Sequence, residues 1–150
     1  MKTVLFVCTG NSCRSVIAEA LLKKIFWERH RHDVEVLSAG ITMLSGMAAS
    51  DQAQEVLRKE GIDVSGHVSR QVTRSMIDKS DIILVMEKIN EAKVLSLAPE
   101  AKHRLFLLKE FARIQDNALD IEDPMGRDDA FYAQTFATIK EAVERVAEIL

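Results

Sequence analysis

The residues best suited to chemistry lie together near the amino end, in Cys8-Thr9-Gly10-Asn11-Ser12-Cys13-Arg14-Ser15. A cysteine, five intervening residues, an arginine and a serine suit an oxyanion such as phosphate. Gly10 lets the backbone come close to a ligand, and Asn11 tolerates left-handed conformations better than most residues. A loop of this kind turns successive N–H groups inward as an anion nest at a helix N-terminus, with Thr9, Ser12 and Cys13 completing its wall. Arg14 adds a permanent charge and a planar fork that can hold two oxygens at once. The same positive field favours the thiolate of Cys8, to which the Ser15 hydroxyl can donate, so Cys8 is the candidate nucleophile. Taken singly, Cys8 reads equally well as a small apolar residue at a strand end. The strand before it, the helix after it, the glycine inside and the serine behind favour the chemical reading.

Those residues need a strand and a helix to position them, and the chain supplies an alternation of both. Thr3 to Val7 is an apolar, β-rich run suited to a strand buried on both faces. Beyond the loop, Val16, Ile17, Ala20, Leu21 and Ile25 recur at helical spacing. Val34 to Leu37 reads as a second strand closed by Ser38-Ala39-Gly40. Ser50 or Asp51 caps a helix to about Glu60 that Gly61 stops. Asp81–Met86 and Leu105–Leu108 give two more strands, with a helix over about Asn90–Leu97 between them. Phe136, Ile139, Val143, Val146 and Leu150 mark the core face of a last helix. Strands separated by helices predict right-handed crossovers and an α/β fold with a parallel sheet covered on both sides. Ligands of such sheets sit beyond the carboxyl ends of the strands, where the Cys8–Ser15 loop lies.

Composition sets the outer limits. The 150 residues are 47% hydrophobic and 29% charged, with six glycines and two prolines, which excludes a disordered chain and fits one domain over 1–150. Net charge is −3, from 20 basic and 23 acidic residues, and gives no support to general nucleic-acid binding. No apolar run approaches a membrane span, and the N-terminus lacks the pattern of a signal peptide. Two cysteines are no disulfide framework, so the expectation is a reduced, cytoplasmic protein without a membrane partner. No spacing of His, Cys and Asp suggests a metal site, and no cofactor is called for.

The loop, with Ile17-Ala18-Glu19-Ala20 after it, resembles the signature of the low-molecular-weight protein tyrosine phosphatases. Ser38-Ala39-Gly40, Gly61-Ile62-Asp63, His67-Val68-Ser69-Arg70 and Asp81-Ile82-Ile83 resemble further family segments, in family order. Ile121-Glu122-Asp123-Pro124 resembles the loop that bears the family's general acid. The resemblance implies a three-layer, Rossmann-like sandwich of the phosphatase I-like type with a four-stranded parallel sheet. It implies a phosphocysteine route on a phosphorylated protein substrate: Cys8 attacks, Arg14 and the loop amides hold the oxygens, and Asp123 serves the leaving group. It also suggests Cys13 as a redox partner, forming a reversible disulfide with Cys8. Glu122 helps keep Asp123 protonated if the two carboxylates lie close. His67 reads as a structural hydrogen bonder, and Tyr132 either anchors the last helix or lines the cleft.

Several positions depart from the phosphotyrosine pattern. Ser12 stands where those enzymes carry a bulky apolar residue, Met125 follows Asp123-Pro124 in place of an aromatic, and 41–47 has no aromatic residue. A phenyl ring thus loses flat partners worth about 0.5–1.5 kcal/mol each. The related protein arginine phosphatases carry threonine at the Ser12 position, where a hydroxyl can accept a hydrogen bond from a phosphoguanidinium. These features tilt the reading toward phosphoarginine, with phosphotyrosine as the alternative. Arsenate reductases with the same loop form a further class. Their thiol-coupled members use cysteines beyond the loop, which this chain lacks after Cys13, so an external thiol would be needed. Val16 replaces the proline common at the first helical turn of phosphatases, which a helix accepts. A non-catalytic phosphate-binding module is disfavoured by Cys8, Arg14 and Asp123 occurring together.

Overall fold

The apolar run at the amino end forms the centre of a sheet in the computed structural model, which describes residues 1–42 and 45–150. Strand β1 (Lys2–Cys8) is buried from Val4 to Cys8, because it is covered on both faces and flanked on both edges. It pairs in parallel with β2 (Val34–Gly40) on one side and β3 (Ile82–Val85) on the other. β4 (Leu105–Leu107) joins β3, also in parallel, giving four strands in the order β2-β1-β3-β4.

Successive side chains of a strand point to opposite faces, and the two cores follow that period of two. Val4 and Phe6 pack with Ile17 and Leu22 of α1 (Arg14–Glu28) and with Ile139, Val143 and Val146 of α6 (Asp129–Ile149). Leu5 and Val7 meet Ile77 of α3 (Arg74–Lys79) and Val94 of α4 (Lys88–Leu97) on the other face. The result is the expected three-layer α/β sandwich. Truncating a fully buried residue such as Ile139 to alanine costs about 2–5 kcal/mol. Among the described residues no helix is long and apolar enough to cross a membrane.

The structure adjusts several boundaries. β2 runs on through Ser38-Ala39-Gly40, because Cys8 pairs with Gly40 at the end of the ladder. Helix α2 (Asp51–Lys59) is capped by Ser50, whose hydroxyl accepts from the Ala53 N–H at 3.1 Å. Gly61, at φ 79°, takes the chain out of that helix. α4 starts at Lys88, earlier than its apolar pattern, and α6 starts at Asp129, where Asp128 accepts from the Phe131 N–H at 2.8 Å. Three short pieces carry too few residues to show a period: α3, a 3₁₀ turn at Pro99–Arg104, and α5 (Leu108–Phe111).

Candidate active site

The loop from Cys8 to Ser15 leaves the carboxyl end of the central strand and enters α1, as the strand rule requires. Asn11 holds it in shape. Its φ of 54° is left-handed, and all its polar groups are used. Asn11 Nδ2 donates to Ser15 Oγ at 2.8 Å and Ser38 Oγ at 2.9 Å, while Oδ1 accepts from the Arg70 N–H at 3.1 Å. The Asn11 carbonyl accepts from His67 Nε2 at 2.8 Å, the structural bond expected of that histidine. The Ser38 hydroxyl in turn donates a hydrogen bond to Glu19 Oε1. Because Ser15 Oγ accepts from Asn11, its hydroxyl hydrogen is free to donate to Cys8 Sγ, 2.9 Å away. The Asn11 N–H also reaches that sulfur, at 3.3 Å.

Within the protein itself, the close approach of backbone to backbone falls on Gly40. A Cβ on Gly10 would make only an ordinary 3.6 Å contact with Ser12 Oγ. A Cβ on Gly40 would lie 2.7 Å from the Thr9 carbonyl oxygen and 2.9 Å from both the Asn11 nitrogen and the Gly10 carbonyl carbon. The end of β2 is therefore packed directly against the loop. The loop's other side is tied by Asn90 Nδ2, which donates to Thr9 Oγ1 at 3.3 Å, and by the Ser50 N–H, which donates to the Ser12 carbonyl at 2.8 Å.

Arg14 is almost completely buried, and its charge is met from two directions. Nη1 binds the Glu87 carboxylate and donates to the Ile121 carbonyl at 2.7 Å. Nη2 lies 3.9 Å from Asp123 Oδ2. Glu87 locks one edge of the guanidinium and leaves the Nε–Nη2 edge for oxygens. Glu87 and Asn90, which bond to Arg14 and Thr9, are candidate site residues that sequence reasoning missed. The signal was present, since both follow β3, whose carboxyl end must lie beside the loop. Helices α2, α3 and α6 are capped by their own Ser50, Thr73 and Asp128 side chains. At α1, among the described residues, no side chain caps the first turn and no acidic residue sits in it.

Asp123 is half-exposed, and its Oδ1 accepts from the Met125 N–H at 3.0 Å. The expected Glu122 contribution takes another form, because its carboxylate turns to Arg127 Nη1 at 3.6 Å. Tyr132 resolves in favour of the anchor. Its ring is buried, and its hydroxyl lies 2.7 Å from Cys13 Sγ and 3.3 Å from Ser50 Oγ, so it is no cleft wall. Burial, the largest effect, pushes the Cys13 thiol up to about 11 despite that hydroxyl. Both cysteines are buried free thiols. Ser12 is half-buried in the loop. Of the aromatic-free stretch 41–47, residues 43 and 44 lie outside the described residues. Among the described residues no cluster of three His, Cys, Asp or Glu side chains is placed to hold a metal ion.

A family model described as low molecular weight phosphotyrosine protein phosphatase matches residues 3–150. A protein-arginine-phosphatase of Geobacillus stearothermophilus is 37% identical over 147 residues, covering 98% of this chain and 95% of that one. A probable low molecular weight protein-tyrosine-phosphatase, EpsP, of Ralstonia solanacearum is 35% identical, covering 96% of this chain and 92% of its own. The low molecular weight protein tyrosine phosphatase structure from T. tengcongensis superposes with a TM-score of 0.91 at 34% identity, covering all of both chains. Sequence and structure thus agree along nearly the whole length, and the chain belongs to the low molecular weight phosphotyrosine protein phosphatases, cysteine-dependent hydrolases that work through phosphocysteine on phosphorylated proteins.

Proposed function

We propose that residues 1–150 act as one phosphatase domain that removes phosphate from arginine side chains of proteins in preference to tyrosine. In this reading the Cys8 thiolate attacks phosphorus in line, forming the S–P bond as the P–N bond breaks. Arg14, through its Nε–Nη2 edge, and the loop amides hold the three equatorial oxygens. Asp123, protonated at the start, gives its proton to the departing nitrogen. As a carboxylate it then takes a proton from the water that hydrolyses phosphocysteine, which returns the Cys8 thiolate and releases inorganic phosphate. The 3.9 Å between Asp123 Oδ2 and Arg14 Nη2 supports this reading, since an acid at that distance from the phosphate-holding arginine can serve both transfers.

The observation that carries the arginine preference is the half-buried Ser12 hydroxyl in the loop wall, with exposed Met125 rather than an aromatic ring after Asp123-Pro124. A phosphoguanidinium carries N–H groups that can donate to a hydroxyl at the Ser12 position, which a phosphotyrosine ring lacks. The Geobacillus relative bears an arginine-phosphatase name, and the Ralstonia relative a tyrosine-phosphatase name. Phosphotyrosine stays as the alternative, because the Met125 sulfur can still contact an aromatic edge in place of the missing ring.

The test is kcat/KM on matched phosphoarginine and phosphotyrosine peptides, with Cys8→Ser as the blank. Phosphoarginine is expected to be turned over about tenfold better, and Ser12→Ile to reverse the order. Preference for phosphotyrosine in the unaltered protein overturns the reading. Turnover of neither peptide, with arsenate reduced in the presence of an external thiol, moves the chain to another class.

A further inference from the structure

A protein whose phosphorylated side chain enters the Cys8–Ser15 loop must lay its neighbouring residues on the ground around that loop. In the sheet β1 lies between β2 and β3, so the segments that follow those two strands flank the loop on either side. Each flank displays large apolar side chains to solvent. After β2, Met47 is 55% exposed, next to Val68 at 61%. Met47 is fastened to the residue after Val68, since the Met47 N–H donates to Ser69 Oγ at 2.9 Å and the Ser69 N–H to the Met47 carbonyl at 2.7 Å. After β3, Ile89 is 62% exposed. It sits between Glu87, which holds Arg14, and Asn90, which holds Thr9. Met125, 52% exposed, gives its N–H to Asp123.

Scattered exposed apolar residues are ordinary, but these four share a property. All are tied to the site. Val68, Ile89 and Met125 are each within two residues of a group bonded to the loop or its arginine, or, as with Asp123, set beside that arginine. Met47 is bonded to Ser69, which lies between Val68 and the loop-bound Arg70. Val68 follows His67, which holds the Asn11 carbonyl. The rim is thus aliphatic and thioether in character and rigidly referenced to the site. Its acid-loop side is negative: residues 120–129 carry Asp120, Glu122, Asp123, Asp128 and Asp129 against Arg127 alone. Acidic side chains beside the phosphorylated residue would face that cluster directly.

We infer that this rim, led by Met47 and Ile89, selects phosphoprotein segments in which aliphatic rather than acidic residues flank the phosphorylated one. The inference rests on the phosphatase reading and deepens it by naming the surrounding sequence rather than the phosphorylated residue. The segment crosses the loop from the Met47–Val68 side to the Ile89 side, and its flanking Leu, Ile, Val or Met side chains bury the exposed apolar area on both.

The test is kcat/KM on two peptide series, one phosphoarginine and one phosphotyrosine, each with Leu/Ile flanks or Asp/Ser flanks. Aliphatic flanks are expected to raise kcat/KM about tenfold within a series. In the Met47→Ser/Ile89→Ser protein, checked for folding by its thermal transition, the ratio is expected to fall to about twofold or less. Equal rates for both flanks in the unaltered protein overturn the inference, as does a preference that survives both substitutions. The ratio is taken within each series, so the two readings fail separately. A phosphotyrosine enzyme with a tenfold flank ratio keeps this inference and loses the arginine preference. An arginine-preferring enzyme with a flank ratio near one does the opposite.

Discussion

Cys8 and Cys13 stand five positions apart in the same loop, yet their sulfurs are held by different parts of the molecule. Cys8 Sγ rests on Ser15 and Asn11, and Cys13 Sγ rests on Tyr132 of the last helix. Oxidation of Cys8 by peroxide gives a sulfenic acid and water. In the redox pairing that the resemblance implies, attack by the Cys13 thiolate would then form a disulfide and expel the oxygen as hydroxide. Peroxide-treated protein is expected to show a Cys8–Cys13 linkage by mass spectrometry and to recover activity with thiol, whereas Cys13→Ala protein stays inactive. Absence of both linkage and recovery removes the redox role. Cys8, Arg14 and the loop between them were legible in the sequence because their chemistry is local. Asp123 became legible only through the resemblance, since four other acidic residues surround it at 120–129. Glu87 escaped notice because it meets Arg14 across 73 residues, through the pairing of β1 with β3.

At the scale of elements, the end of β2 and the catalytic loop behave as one packed unit. Gly40 cannot back away from the loop: its N–H donates to the Arg70 carbonyl at 2.9 Å and its carbonyl accepts from Val72 at 2.7 Å. Gly40→Ala is therefore expected to cost about 1–3 kcal/mol and to lower kcat/KM by displacing the Thr9–Asn11 backbone. Urea unfolding and kinetics on one preparation check both; an alanine protein equal to the parent in each would show that the loop gives way freely. The strands and long helices were readable because burial on two faces and helical period leave strong patterns. The stretch from α5 to α6, which carries Asp123, was not. It is held by scattered non-periodic bonds, among them the Ile121 N–H to the Met86 carbonyl at 2.8 Å and Lys109 Nζ to the Ala118 carbonyl at 2.6 Å. Isolated bonds of that kind have no period to read.

For the molecule as a whole, the buried Cys13–Tyr132 pair sets an alkaline limit on stability. Folding raises the Cys13 thiol from 9.0 to about 11, and burial raises the Tyr132 hydroxyl as well. A raised value means that the folded state keeps its proton while the unfolded chain loses it. The stabilisation is complete below pH 9 and drains away as pH climbs toward 11, by about 2–3 kcal/mol for Cys13. Unfolding free energies between pH 8 and 11 should fall along that course, and Cys13→Ala should make the fall shallower even if it lowers the starting value. An equally steep fall without Cys13 would assign the effect to other groups.

The cradle of Asn11, Ser15, Ser38, Arg70 and His67 is braced entirely by the protein's own groups. It is a mould cut in advance, and a mould does not distinguish the cast going in from the cast coming out. On the proposed reading, the free phosphate made in each cycle would meet the same loop amides as the next phosphorylated side chain. Throughput then depends on how much spent phosphate the surroundings hold, and only the residues beyond the cradle can favour fresh substrate over product.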